Sequence, residues 1–135
     1  QHIWLNAEQP VAQNTGYLGI LNNKRFYTVH FASEATLNLK MLSLGANDPD
    51  MSLIESKALM LSVPKAQNQV FFNIVETHGN TNTVIETTTG ANAVVNDLKI
   101  IHANKEQVTV SFKVKNKAYT YQINYKNKEN FIKLN

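Results

Sequence analysis

Acidic and amide side chains are concentrated between positions 45 and 50, where the chain reads GANDPD. Two aspartates and an asparagine within four residues supply the oxygen ligands that a hard cation prefers. The calcium-loop pattern nevertheless fails, because Gly45 precedes the acids and no glutamate stands at the last position of such a loop. Pro49 fixes its own φ, Asp48 before it is biased away from helix, and Asn47 can bond the backbone two residues on. The stretch is therefore predicted to form a rigid corner between two strands.

Glu76 and His78 are the pair best suited to acid–base chemistry. Residues two apart in a β-strand project from the same face, so the carboxyl and the imidazole are predicted to be neighbours. Such a pair can transfer a proton. It can equally form an orienting hydrogen bond where the strand leaves the sheet at Gly79, and this structural alternative is the favoured one.

The residue types give little support for a metal or cofactor site. The four histidines are far apart in sequence and none shows a zinc-binding spacing, so each is predicted to be structural. They are His2, His30, His78 and His102. The absence of cysteine excludes thiolate catalysis and sulfur-ligated zinc, and no phosphate loop, nucleophile elbow or dinucleotide motif occurs. No cofactor, metal ligand or catalytic residue is predicted in this chain.

Positive charge is concentrated at the C-terminal end, although the formal net charge is only +3. In this region, Lys113, Lys115 and Lys117 are candidate contacts for a polyanion. The favoured alternative is that these lysines keep a hairpin soluble and prevent edge pairing. Nucleic acid is not predicted as a partner, because the neighbouring tyrosines alternate onto the face opposite the lysines and are expected to lie in the core.

The elements that must position these residues are strands, because the dominant sequence period is two. Apolar and polar residues alternate over positions 108–114 and again over 119–125. Between them lies KNK, whose Asn116 tolerates a left-handed backbone, so an antiparallel hairpin is predicted. A second hairpin is predicted around the turn dipeptide Asn22-Asn23, between YLGIL and KRFYTVHF.

Further strands are predicted at ATLNLKML, ALMLSV, QVFFNIVET, TNTVIETT and DLKIIHA, and a helical turn is favoured only in DPDMSLIESKA. ALMLSV and QVFFNIVET are more continuously apolar and are expected to be central strands with both faces covered. The fold class is therefore all-β, a two-sheet antiparallel β-sandwich of about eight to ten strands with little or no helix, and residues 1–135 are predicted to form a single domain. No apolar run approaches the roughly 20 residues of a membrane-spanning helix, so no membrane span is predicted.

Four motifs, in order along the chain, resemble the C-terminal part of oligoalginate lyases of polysaccharide lyase family 17, within the heparinase II/III-like group. They are QHIW, NKRFYT, GANDPDMSL and VFFNIVETHG. The resemblance carries these markers from Gln1 to Gly79 and continues more loosely to about Tyr125. The family-motif positions with a structural role are Gly45, Asn47, Asp48, Pro49, Glu76, His78 and Gly79.

The resemblance implies that the chain is the C-terminal β-sandwich of a larger lyase with an α/α toroid and a central β-sheet region. Such an enzyme degrades alginate oligosaccharide by β-elimination, with a tyrosine moving the uronate proton while an asparagine and a histidine neutralise the carboxylate. A structural divalent metal, zinc, would be held by histidines and an aspartate. All of these residues are expected outside this chain, which is predicted to be inactive alone, to have the remaining lyase domains as partners, and to be periplasmic or secreted.

The chain departs from the family pattern after the corner motif. Many relatives have two arginines there, whereas this chain has Ile54 and Glu55 close behind Leu53. Two other functions remain open. One is a free-standing carbohydrate-binding β-sandwich, and the other is the same domain in a heparin- or heparan-type lyase.

Overall fold

The computed structural model describes residues 2–6, 13–44, 56–65, 68–127, 129 and 131–134. Within this part of the chain there are ten β-strands and no helix, and the strands form two antiparallel sheets. The predicted all-β, two-sheet fold class is confirmed. The strands are β1 (His2–Asn6), β2 (Gln13–Asn22), β3 (Arg25–Leu44), β4 (Ser56–Ser62), β5 (Phe71–Asn82), β6 (Thr87–Thr89), β7 (Val95–Ala103), β8 (Gln107–Val114), β9 (Lys117–Asn124) and β10 (Ile132–Leu134). Since none of the described residues is helical, none of them belongs to a helix that could span a membrane.

The first sheet is organised around β3, a strand of 20 residues. Its strand order is β1-β2-β3-β5-β6, and β4 joins by pairing with the second half of β3. The first half of β3, Arg25–Ser33, lies between β2 and β5. This central position allows β3 to hold residues of its two neighbours in a fixed register.

The β2–β3 hairpin turns one residue later than predicted. Asn22 pairs with Arg25, so the two turn residues are Asn23 and Lys24, with φ of 48° and 65°. Two positive φ values in a two-residue loop define the turn type whose twist matches that of the paired strands. Asn22 is held in the strand ladder, which is why the predicted Asn22-Asn23 turn was wrong by one position.

The second sheet has the strand order β10-β9-β8-β7. Its β8–β9 hairpin turns at Lys115 and Asn116, with φ of 49° and 72°, as predicted for KNK. Val108 and Val110 of β8 are buried, the latter completely. Farther along the same face, Phe112 of β8 is only partly buried and contacts the aromatic rings of β9. The burial predicted for this row is therefore complete near its start and partial toward the hairpin.

One strand prediction is wrong. TNTVIETT is not one strand, because β5 ends at Asn82 and residues 83–86 form a turn before β6. The Asn82 side-chain oxygen accepts hydrogen bonds from the backbone N–H groups of Val84 and Ile85 at 3.0 and 3.4 Å, which stabilises this turn despite its β-branched residues. The helical turn favoured in DPDMSLIESKA is not found over positions 56–58, which belong to β4, and positions 48–55 lie outside the described residues.

The expectation that QVFFNIVET has both faces covered is also wrong for this chain. Phe71 and Val75 of β5 are 42% and 67% exposed. Burial along β5 alternates instead, because every second residue points toward the second sheet and the others point away from it. β5 therefore has an inner face, which carries Glu76 and His78, and an outer face.

Candidate functional site

The inner-face residues of β5 lie beside those of β3, because the two strands are paired in the same sheet. Thr28 pairs with Glu76 and Phe26 pairs with His78. Thr28 and the next inner residue of β3, His30, are both buried. Four polar side chains thus lie together between the two sheets, and Thr28, His30, Glu76 and His78 are called the polar cluster below.

The Glu76 carboxylate is fully engaged in hydrogen bonds. One oxygen accepts from the backbone N–H of Val94 at 2.8 Å, and the other accepts from the N–H of Val95 at 3.1 Å. The second oxygen also lies 3.2 Å from His30 Nε2. The His30 and Glu76 side chains are 7% and 9% exposed. The carboxylate therefore fastens the first residue of β7 and the residue before it onto the first sheet.

The ionisation states of this pair follow from their surroundings. Burial by itself would raise the pKa of Glu76, but the hydrogen bonds from Val94, Val95 and His30 outweigh it and hold that pKa below its ordinary value. Burial lowers the pKa of His30, and the hydrogen bond and charge of Glu76 only partly oppose this effect. Near neutral pH, Glu76 is ionised and His30 is neutral. Since an ionised carboxylate only accepts, His30 Nε2 carries the proton and donates it to Glu76.

His78 makes a second connection between the same segments. Its Nδ1 lies 2.9 Å from the Gly90 carbonyl oxygen, which can only accept, so Nδ1 carries a proton. In the neutral ring Nε2 is then an acceptor, and it receives the Thr28 hydroxyl at 2.9 Å. The ring also stacks on Phe26, with centroids 5.9 Å apart and an interplanar angle of 13°. His78 is thereby fixed in one tautomer and one orientation.

Gly79 allows the chain to approach itself at the end of this cluster. It has a φ of +48° and lies where the pairing of β3 with β5 shifts in register, so it is a bulge residue. A Cβ at this position would overlap the carbonyl oxygens of Thr89 and Gly90. Glycine is required for both reasons, and the close approach brings the Gly90 carbonyl to His78.

A half-open cleft of about 730 Å³ lies beside the polar cluster. Tyr17 and His30 line it from the first sheet, with ring centroids 6.1 Å apart, and the opposite wall includes Asn92, Asn96 and Asp97. His30 is the titratable group of the cluster that borders this space. Its lowered pKa makes the ring a weak proton acceptor, so the arrangement is better suited to holding residues 90–95 in place than to acid–base catalysis.

The structure brings Glu76, His78 and Gly79 together, but the proton-transfer pairing considered for Glu76 and His78 is replaced by other partners. Each side chain bonds to a different residue of β3 and to a different part of the 90–95 segment. Both side chains orient the 90–95 segment, through partners that the sequence did not indicate. Gly45, Asn47, Asp48 and Pro49 lie outside the described residues.

The candidate polyanion contacts lie around the β8–β9 turn, in a different part of the chain from the polar cluster. Lys113 Nζ is 2.6 Å from Asp97, and this ion pair holds the pKa of the Asp97 carboxyl below its usual value. Lys115 is a turn residue. Lys117 Nζ lies 5.3 Å from the centroid of the Tyr119 ring, so the prediction that lysines and tyrosines occupy opposite faces is wrong at this position. Lys117 pairs with Val114, which places it on the tyrosine side of the hairpin.

His30 and Thr28 were not identified as partners of the β5 motif from sequence. They are 46 and 50 residues away from Glu76 and His78, respectively. A signal was present, since Thr28 and His30 are polar residues at a spacing of two, separated by Val29. In the described part of the chain, no group of three or more His, Cys, Asp or Glu residues has a geometry that could hold a metal ion.

Two curated relatives are similar to this chain. It is 32% identical over 113 residues to an exo-oligoalginate lyase of Saccharophagus degradans, covering 82% of this chain and 15% of the relative. It is 33% identical over 98 residues to an alginate lyase of Stenotrophomonas maltophilia, covering 73% of this chain and 13% of the relative. No family model matches the chain. The chain is therefore related to alginate lyases, and it spans only a small part of the length of the relatives that it matches.

Proposed function

We propose that these 135 residues are the C-terminal, non-catalytic β-domain of an alginate lyase of polysaccharide lyase family 17, in the heparinase II/III-like group. The proposal rests on the difference between the share of this chain and the share of each relative that the two matches cover. Most of this chain is matched, whereas 13% and 15% of the two lyases are. A domain that accounts for so little of a relative's length need not contain its reaction chemistry.

The geometry of the polar cluster supports a structural role. Both Glu76 oxygens and both His78 ring nitrogens are engaged with protein groups, and three of these partners are backbone atoms of residues 90–95. A catalytic acid or base needs a lone pair or a proton directed at a substrate. The cluster instead directs these groups at the chain itself, which is what a scaffold domain requires.

The whole enzyme is proposed to cleave alginate oligosaccharide by β-elimination. Its catalytic tyrosine, its carboxylate-neutralising asparagine and histidine, and the ligands of a structural zinc would lie in the parts of the lyase outside this chain. The contribution of the present domain is to pack against those parts and keep their cleft in shape. A periplasmic or secreted location belongs to the same proposal.

The proposal is tested by comparing the 135-residue chain with the complete natural gene product. Both are incubated with alginate oligosaccharides, and the absorbance of the unsaturated uronate product is followed. Cleavage by the complete product and none by the folded 135-residue chain is expected, with circular dichroism as the control for folding. Cleavage by the short chain alone would overturn the non-catalytic assignment. Cleavage of heparin or heparan in place of alginate by the complete product would reassign the substrate.

A carbohydrate-binding module is the second candidate, because one observation favours it. Phe112 stacks against both Tyr119 and Tyr121, at centroid distances of 5.8 and 5.7 Å, and none of the three rings is fully buried. Aromatic faces bind sugar rings, and Lys117 beside Tyr119 adds a positive charge suited to a uronate. Saturable binding of alginate oligomers to the folded chain, lost in Tyr119→Ala and weakened by salt, would establish this function. We expect no saturable binding.

A further inference from the structure

The outer face of the first sheet carries several apolar side chains. Leu18, Val29 and Val75 occupy one row across β2, β3 and β5, and Ile20 and Tyr27 begin the next row. Phe71 lies on the same face of β5. We use the name apolar outer face for the part of this surface that is not fully buried, namely Ile20, Tyr27, Val29, Phe71 and Val75.

The exposure of this face increases from β2 toward β5. Leu18 is buried, Val29 is partly buried, and Val75 is 67% exposed although it lies in the middle of a strand. A single exposed valine is unremarkable on a protein surface, whereas adjacent apolar residues across three strands form a patch of the kind that marks an interaction site. Two exposed polar residues, Asn73 and Thr77, flank Val75 on this face of β5, so the patch extends across the strands and not along β5.

The chemistry of the face favours a protein occupant over a sugar. The five residues carry no charge, and a polyuronate would need cations to neutralise its carboxylates. Their side chains are aliphatic or aromatic, as at the apolar centre of an interface between domains. Most of the length of each related lyase lies outside the matched region, so a large partner within the same polypeptide is available under the function proposed above.

We propose that the apolar outer face is the surface through which this domain docks onto the remainder of the lyase polypeptide. This inference rests on the proposed function. The polar cluster on the inner face holds the domain together, and the outer face of the same strands forms the contact with the neighbouring part of the enzyme.

Cysteine accessibility tests the inference cleanly, because the chain contains no cysteine of its own. Val75→Cys is introduced into the complete gene product, with Val84→Cys as the matched control in the turn after β5. In the chain alone these valines are 67% and 86% exposed, so without a covering partner the two thiols should react at similar rates. Labelling by a maleimide is measured by mass spectrometry of the peptides that carry the two positions, so cysteines elsewhere do not interfere.

With docking, we expect the thiol of the Val75→Cys variant to react at least about tenfold more slowly than that of the Val84→Cys control, because a covered thiol reacts only after local opening. Urea should abolish this difference. Rates within about twofold of each other in the native protein would overturn the inference. Protection of the Val75→Cys thiol that disappears on dilution would also overturn it, since the occupant would then be a second copy.

Alginate cleavage by the same proteins separates the two proposals. Val84 belongs neither to the polar cluster nor to the apolar outer face, so the Val84→Cys variant should retain the activity of the natural product. Protection of the Val75→Cys thiol in a product that does not cleave alginate would overturn the proposed function and leave an interdomain face. Cleavage without protection would support the enzyme and overturn the docking surface.

Discussion

Around the polar cluster, the two faces of β3 and β5 reverse the usual relation between polarity and burial. The inner face holds the polar cluster, and its His30 and Glu76 side chains are almost completely buried. The outer face of the same strands carries Val29 and Val75, which are partly or largely exposed. Buried polar groups are costly unless they are hydrogen-bonded, and here they are bonded. Substitutions that remove a hydrogen-bonding atom from the inner face should therefore lower the free energy of unfolding. Substitutions on the outer face should change it little in this chain.

The largest loss of stability is expected from a substitution at Gly79, where the inner face ends. Gly79→Ala should lower the free energy of unfolding by at least about 3 kcal/mol, because it combines a positive φ with overlap between the new Cβ and two carbonyl oxygens. Urea denaturation measures the change. Gly79→Asn separates the causes, since asparagine tolerates the backbone conformation but retains the Cβ. A loss below about 1 kcal/mol in the alanine variant would contradict the close approach.

The Glu76 carboxylate is the next most sensitive position. Glu76→Gln should cost about 2 kcal/mol, because a single amide oxygen cannot accept from Val94, Val95 and His30 as two carboxylate oxygens do. Glu106→Gln is the matched control. It breaks an exposed ion pair with Lys126 and should cost less than about 1 kcal/mol. The free energy of unfolding of both variants is measured by urea denaturation. Equal decreases would show that burial of the Glu76 hydrogen bonds adds nothing to stability.

The inner face should also make stability depend on pH. The pKa of His30 is lowered in the folded chain, so unfolded chains bind its proton more readily and stability falls as the pH drops below the ordinary value of 6.5. The pKa of Glu76 is lowered as well, so its contribution is present above 4.5 and is lost as the pH falls through the folded value. Unfolding midpoints across this range should decrease in two stages. His30→Gln should flatten the first stage, and an unchanged pH profile in that variant would exclude His30 as its source.

The smallest effect is expected on the outer face. Val75→Thr keeps the β-branched shape and should change the unfolding free energy of this chain by no more than about 0.5 kcal/mol. Ile74→Thr makes a similar change one residue away on the partly buried inner face, and should cost at least about 1 kcal/mol. Thermal unfolding of the two variants compares the faces directly. A larger loss at Val75 would mean that the outer face contributes to the core of this chain.

The parts of the fold that were predictable from sequence depend on local patterns. The β8–β9 hairpin was predicted because alternation and the turn residue Asn116 indicate the same structure. The turn at 83–86 was missed because Val84 and Ile85 favour strands, whereas the hydrogen bonds of the Asn82 side chain favour a turn. The strand propensity of the residues did not show that the side-chain hydrogen bonds of Asn82 would determine the local structure.

The candidate site was predictable only in part. A period of two was sufficient to place Glu76 and His78 on one face. Their partners could not be inferred in the same way, because three are main-chain atoms of Gly90, Val94 and Val95, and every residue type has a main chain. Alternation also leaves open whether the face of β3 that carries Thr28 and His30 is covered, and both residues proved to be buried.

The attachment of residues 90–95 has a consequence for protein engineering. Side chains of β5 form hydrogen bonds with main-chain atoms of the segment at its first position, Gly90, and at its last two positions, Val94 and Val95. Asn92 and Ala93 lie between these points and line the cleft. Their side chains should tolerate randomisation, because none of the three bonds from β5 uses a side chain of the segment. Positions 92 and 93 are therefore suitable for a short library of variable residues on an all-β scaffold, because the hydrogen bonds from β5 would be kept.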